Sequence, residues 1–314
     1  MLRYRADLRT LATLFAYAAL VALQWTLTPS GVLGVALVAV TCGVSWLCAV
    51  IAHNVVHCPV FTKKWMNKAF QVWVSLSYGF PISDYIPGHN LSHHRFMQLR
   101  QDVMRTSKVN FRWNLLNLIF FMPAVTPGIL RGNSLYRKLM GERAQAWRKQ
   151  LVLEMVAVWA VKGVALMIDW RKALLYVFVP HVFANIGIVI INFFQHDGCD
   201  EAHPANHSRN FTGGLLNFLA FNNGYHGVHH DVPGLHWSLT PAAHAERFHP
   251  TIHPALEQPA LHVYLFKTFV YPGKRVTYDG KPYVVTRQAD LDWVQPSDRD
   301  AKVEAEEEVE PALA

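Results

Sequence analysis

Three groups of histidines set the chemistry open to this chain: His53 and His57, then His89, His93 and His94, then His226, His229 and His230. Neutral imidazole is a ligand for zinc, copper, iron and nickel. Eight such rings exceed what one structural ion can use, so the pattern points to a site for two transition-metal ions. On a helix, residues three or four apart share a face, so the spacing within each group aims paired rings at a common point. Two histidines four apart arise often by chance, and His53 with His57 would carry little weight alone. Three imidazoles within residues 89–94 and three within 226–230 weigh more, because solvated loops rarely concentrate imidazoles this way without metal.

A ninth ring follows. Asn192 and His196 close a long apolar run and are again four apart, near the place where the other groups emerge. The simpler alternative is a span-end histidine satisfied by water or headgroups. His181, deeper in that run beside Pro180, is expected to bond a carbonyl freed by the proline or to face a substrate path. His249 and His253 copy the four-residue spacing, but Pro250 and Pro254 argue against one continuous helix, so both are set aside. His203, His207, His236, His244 and His262 show no comparable pattern. Asp84, Asp102, Asp197 and Asp231 flank the groups. One or two are expected to orient a ring through its second nitrogen, the rest being surface or capping carboxylates.

These rings need a scaffold, and the apolar residues supply it. They collect into runs at 11–27, 31–51, 151–168 and 173–194, lengths suited to a hydrocarbon core of roughly 30 Å. Arg3, Arg5 and Arg9 would also suit a cleaved leader, but no clear small-residue cleavage site precedes the second run, so the first is read as a span. Stretches 69–81 and 114–130 are ambiguous, the second being broken by Pro123, Pro127 and Gly128. If the histidine groups converge, an even number of crossings must separate the second from the third, and 151–168 with 173–194 already supplies two. The 114–130 stretch should therefore lie in the interface or re-enter, and 69–81 cannot cross once. The expected fold is an all-α membrane protein with four transmembrane helices in two hairpins and a helical cap holding the histidines.

Charge orients this arrangement. Residues 52–149 carry fourteen Lys and Arg and the amino terminus three more, whereas turn 28–30 holds none and the other turn only Arg171 and Lys172. Basic residues accumulate on the cytoplasmic side, which places both termini and all three histidine groups there. The net charge of +7 thus reads as membrane orientation, and no motif suggests nucleic acid. Cys42, Cys48, Cys58 and Cys199 show no paired spacing that would suggest a disulfide framework or thiolate ligation. One membrane domain is expected over 1–297, with a small hairpin at 275–285 turning at Asp279-Gly280. An acidic disordered tail is expected over 298–314.

In order and spacing, the three groups resemble the histidine boxes of the integral-membrane fatty acid desaturase superfamily, which also holds membrane hydroxylases, ketolases and decarboxylases. The resemblance covers about residues 32–241, and the third box is similar to versions in lipid and sphingolipid desaturases. It implies a mushroom-like four-span fold whose cytosolic cap holds two iron ions. His53, His57, His89, His93, His94, His196, His226, His229 and His230 would be the ligands, with Asn192 binding through water. It also implies an oxygen-dependent oxidoreductase that introduces a double bond into a fatty acyl chain or lipid. Unactivated C–H bonds lie beyond acid–base groups, so metal and O2 must carry the hard step. No Glu-x-x-His motif of the soluble carboxylate bundles occurs among the boxes.

The chain shows no haem-binding His-Pro-Gly-Gly and no flavin motif, so electrons are expected from a separate donor such as ferredoxin, rubredoxin or cytochrome b5. Stretches 78–87 and 113–130 could wall an acyl path. Arg131, Arg137, Lys138, Arg143, Arg148 and Lys149 could hold a headgroup, coenzyme A or an acyl carrier protein, or serve only topology and lipid contact. Hydroxylation and oxidative decarboxylation are the nearest rivals on the same scaffold. A zinc-dependent membrane hydrolase needs about three protein ligands, far fewer than are present. A metal transporter would place ligands near the bilayer midplane, whereas these sit just beyond the spans.

Overall fold

The computed structural model describes residues 1–140, 144–286 and 288–294. Arg143, the domain end at 297 and the tail 298–314 lie outside the described residues. Among those described the chain is all-helical, with three isolated bridges and no strands. Six long helices dominate: α1 Leu8–Leu27, α2 Gly31–Val55, α3 Lys64–Tyr78, α4 Asn114–Met140, α5 Gln145–Ala173 and α6 Val179–His196. They fall into two compact units, one of residues 1–86 with 144–188 and one of residues 87–140 with 189–294.

In the first unit, α1 and α2 are joined by a turn at 28–30, where Thr28 takes a left-handed conformation and its N–H caps the Gln24 carbonyl. The Gln24 amide also donates to the Thr41 hydroxyl (2.6 Å), tying the two helices by a polar contact inside apolar surroundings. Helix α5, a π-helical stretch Leu174–Phe178 and α6 form a run of 52 residues, ~78 Å of helix and more than twice a bilayer core. Asp169 interrupts it: its backbone is extended (φ −156°, ψ 100°), and its carboxylate accepts the N–H groups of Arg171 and Lys172. The run is therefore two helical lengths separated at Asp169. Lys172 reaches the Trp25 carbonyl (2.8 Å), so this break and the 28–30 turn lie at the same end of the unit.

Polar groups lock the residues just after α3 against α5. Glu154, fully buried, accepts from the backbone and hydroxyl of Ser83 and from Gln150. Lys162 donates to the Gly79 carbonyl (2.7 Å) amid the rings of Phe80, Trp159 and Phe178. Gly79 ends α3 with φ +89°, and a Cβ there would lie 2.1 Å from the His181 ring, so only glycine fits. His181 pairs through Nε2 with the Tyr17 hydroxyl (2.7 Å), a side-chain partner where a carbonyl freed by Pro180 was one expectation.

In the second unit, α4 departs from expectation. Pro123 and Pro127 do not break it; the helix runs unbroken through 27 residues, long and apolar enough to cross a membrane by length and composition. The prolines are four apart and so share one helix face, which confines the lost N–H groups to one side. Over 275–285 the structure has one antiparallel bridge, Val276 to Pro282, around a turn at Asp279 and Gly280.

Candidate metal centre

Three elements of the second unit carry imidazoles to one place. Helix α6 ends on His196, with Asn192 one turn earlier. A π-helical turn, Pro87–His93, bears His89 and His93 and leads directly into His94. A one-and-a-half-turn helix, α7 His226–Asp231, bears the third group. Its position is set from behind by a small core of Ala205, Val228, Phe248, Ile252 and Leu256. Gly227 separates His226 from that core; a Cβ there would lie 2.7 Å from the Phe248 ring, so only glycine lets the helix approach this closely.

His93, His196, His226 and His230 each present a ring nitrogen, all within 4.8 Å of one another. The Nε2 atoms of His196, His226 and His230 form a triangle with sides of 2.8, 3.1 and 3.1 Å. Two nitrogens bound at ~2.1 Å and at right angles about one ion would stand ~3.0 Å apart, whereas a tetrahedral pair would stand ~3.4 Å apart. The triangle thus has the spacing of nitrogens held by one ion. His196 donates its Nδ1–H toward the His207 carbonyl (3.3 Å), which leaves Nε2 as the lone-pair nitrogen. His93 bonds Asp102 through Nδ1, and among the described residues its buried Nε2 has no hydrogen-bond partner. Four convergent ring nitrogens, with those of His93 and His196 left as lone-pair atoms, fit a cation.

A second set lies beside it. His89, His94 and His229 also bring ring nitrogens within 4.8 Å of one another, with Nε2 of His94 3.1 Å from Nε2 of His89. The His94 and His230 rings stack at 4.4 Å, so the two sets are neighbours. In the first unit His53 and His57, on the last turn of α2 and just past it, pair with ring centroids 5.6 Å apart.

Burial favours the neutral form of His230 and His207. The His230 imidazole is held well below its usual titration range, first by burial and then by His94, His226, His196 and His93. His207 is lowered by burial as well, with Asp231 opposing and His203 adding to the shift. Neutral rings retain the lone pairs that a metal needs.

Of the flanking carboxylates, Asp102 orients His93 and also accepts the N–H groups of Gln98 (2.8 Å) and Met104 (2.7 Å). Asp197 instead pairs with Arg275, and Asp231 pairs with Arg247 at the surface. Asn192 is buried, its amide donating to the Met104 carbonyl (3.1 Å). His249 bonds Glu257, and His253 caps a short turn through Ala255.

Some supporting residues had no sequence signal. The backbone carbonyl of His207 is one. Arg209 is another: its guanidinium donates to the Phe194 and Asp197 carbonyls at the end of α6 (2.7 and 3.0 Å). Arg275 holds the Asp197 carboxylate from a segment 78 residues away.

The family model for fatty acid desaturase matches residues 27–256, a span that holds every one of these histidines. The chain belongs to the fatty acid desaturase family. A sphingolipid delta(4)-desaturase of Komagataella phaffii is 26% identical over 215 residues, 62% of this chain. The match spans 56% of that relative's length. Family membership and the apolar helices together make this desaturase-family chain an integral membrane protein.

Proposed function

We propose that the chain is an oxygen-dependent membrane oxidoreductase, a two-iron desaturase that introduces a double bond into a fatty acyl chain or lipid. The observation that carries this reading is the pair of adjoining imidazole sets, one of them with three Nε2 atoms at 2.8–3.1 Å. His93, His196, His226 and His230 would hold one ion; His89, His94 and His229, with His53 and His57 completing the set, would hold the other, and Asn192 would act through water. Bound iron would supply the oxidising power that no side chain here has. Removing two hydrogens from an acyl chain while O2 becomes two waters requires two further electrons, so a separate donor such as ferredoxin, rubredoxin or cytochrome b5 is part of the reading.

The protein's own residues do the rest. Asp102 and the His207 carbonyl hold the tautomers of His93 and His196, so their Nε2 lone pairs are preset. The convergence of His93 with the 196–230 set in one unit supports an even number of crossings between them. Helix α4 then rests in the interface, and the two lengths of the α5–α6 run cross. The basic residues of 52–149 put the termini and the site on the cytoplasmic side. The acyl substrate arrives from the bilayer, as a lipid or as a coenzyme A or carrier-protein thioester.

The test is expression in a lipid-producing host, with lipids and hydrocarbons compared by mass spectrometry against a His229→Ala control. A product short of two hydrogens, absent from the control, is expected. A product gaining one oxygen, or a terminal alkene, would replace desaturation by hydroxylation or decarboxylation on the same site.

A further inference from the structure

The second unit exposes apolar side chains that its own core leaves unused. Residues 210–212 and 256–258 run side by side in parallel: Asn210 N–H donates to the Leu256 carbonyl, Gln258 N–H to Asn210 and Thr212 N–H to Gln258 (2.7–3.0 Å). Each segment then opens into a short helix, Gly214–Leu219 on one side and Leu261–Leu265 on the other, the latter continuing as a π-helical turn, Phe266–Val270. Asn217, Tyr264 and Phe269 face inward and are buried. Outward the pattern is not polar. Leu215 is 74% exposed and Phe218 61%. Val263, Phe266 and Val270 form an exposed stripe on the second helix, three and four residues apart, and Tyr271 beyond it is 75% exposed. Lone exposed apolar residues need no explanation, but two helices that leave one pair of aligned segments and both face outward with Leu, Phe and Val do.

This surface continues into α4. The Asn114 N–H donates to the Gly273 carbonyl (2.9 Å), and the Asn114 amide to the Thr268 carbonyl (3.2 Å). Beside that junction Phe111 and Phe120 stack at 5.1 Å, both exposed, next to exposed Trp113. Arg112, Lys267 and Lys274 are exposed among these rings, and residues 111–120, 213–220 and 261–274 contain no Asp or Glu. An apolar face rimmed by aromatic and basic side chains, with no acid, suits the boundary between acyl chains and anionic headgroups.

We infer that the helices Gly214–Leu219 and Leu261–Val270 rest in the headgroup–acyl boundary of the bilayer, as a lipid-contacting extension of α4. Lipid is the occupant because the face is continuous with a helix apolar enough for the membrane, and because its charges are of one sign. This inference concerns how the unit seats on the bilayer and does not depend on the reaction catalysed.

The test replaces Phe218, and separately Phe266, with the photoreactive p-benzoylphenylalanine in the full chain. The protein is reconstituted in vesicles of phosphatidylcholine and phosphatidylglycerol, with the exposed Glu246 as the control position. Mass spectrometry after illumination is expected to find phospholipid adducts at 218 and 266 and none at 246. Chain-to-chain adducts at 218 and 266 would mean that a second copy covers the face, and would overturn the inference. So would adduct yields no higher than at Glu246. Both side chains are exposed and their replacement should leave the fold intact; Leu215→p-benzoylphenylalanine provides a third position if either alters the circular dichroism.

Discussion

Nδ1 of His93 lies 3.0 Å from Oδ2 of Asp102, and both side chains are wholly buried. The carboxylate therefore fixes the ring's rotation and tautomer and leaves Nε2 for the neighbouring imidazoles. It also gathers the N–H groups of Gln98 and Met104, so one side chain shapes the loop after the second box and aims its central ligand.

Asp102→Asn keeps the shape but offers one acceptor oxygen where two are used. Metal affinity is expected to fall by about 10–100-fold, the usual cost of losing a ligand-orienting partner. Iron per chain, measured during titration with a chelator on protein whose circular dichroism matches the wild type, checks this. An unchanged titration would remove Asp102 from the site.

The two histidine doublets should behave as split pairs. His93 and His230 belong to one set and His94 and His229 to the other, because neighbours on a helix point about 100° apart. His229→Ala and His230→Ala are each expected to lose one of two ions and keep the other, while His249→Ala keeps both. Metal analysis of the three purified variants decides it; equal loss of both ions from either doublet variant would show one shared site.

How much of this was legible in the sequence follows from the same geometry. The i, i+4 spacing of His226 and His230 was enough to pair them, and the long apolar runs were enough to find the helices α1, α2, α5 and α6. The sequence did not reveal which member of each doublet goes to which set, since that depends on the helical rotation at 87–94, a π-helical turn. Long-range partners were equally invisible: Arg275 lies 78 residues from Asp197, and a lone arginine carries no pattern. The outward faces of Gly214–Leu219 and Leu261–Val270 were missed because their apolar residues are three and four apart on helices too short to register as periodic. In α4, prolines suggested a break that their shared face allows the helix to avoid.

Acid should release metal and weaken the metal-free fold together. The folded-state titration of His230 and of His207 is lowered, chiefly by burial, whereas in the unfolded chain both titrate near the ordinary imidazole value of about 6.5. As pH falls through that value the unfolded state takes up protons first. The stabilisation is thus fully present above about pH 6.5 and is lost progressively below it. The thermal midpoint of chelator-treated protein is expected to fall between about pH 7.5 and pH 5.5, and less steeply in His207→Gln. A flat profile across that window would show that these rings are not held neutral.

The last prediction concerns the residue after His196. Asp197 and Arg275 form an ion pair in which both side chains are about 5% exposed. Arg275 donates through Nε to both carboxylate oxygens (3.0 and 3.1 Å), and its other nitrogens reach the carbonyls of Val109 (2.6 Å) and Thr106 (2.9 Å). Arg275→Met would strand a buried carboxylate at the end of the helix bearing His196, which costs about 3–5 kcal/mol. Arg275→Lys keeps the charge, but a point-like ammonium cannot span one carboxylate and two carbonyls, so most of the loss should remain. Pairing Arg275→Met with Asp197→Leu removes the stranded charge and should recover part of that loss. Thermal unfolding of the two singles and the double in one detergent gives the coupling directly. Strict additivity would mean that the pair is not coupled. Metal retention separates two roles: if the double regains stability but not metal, the pair also holds His196 in place.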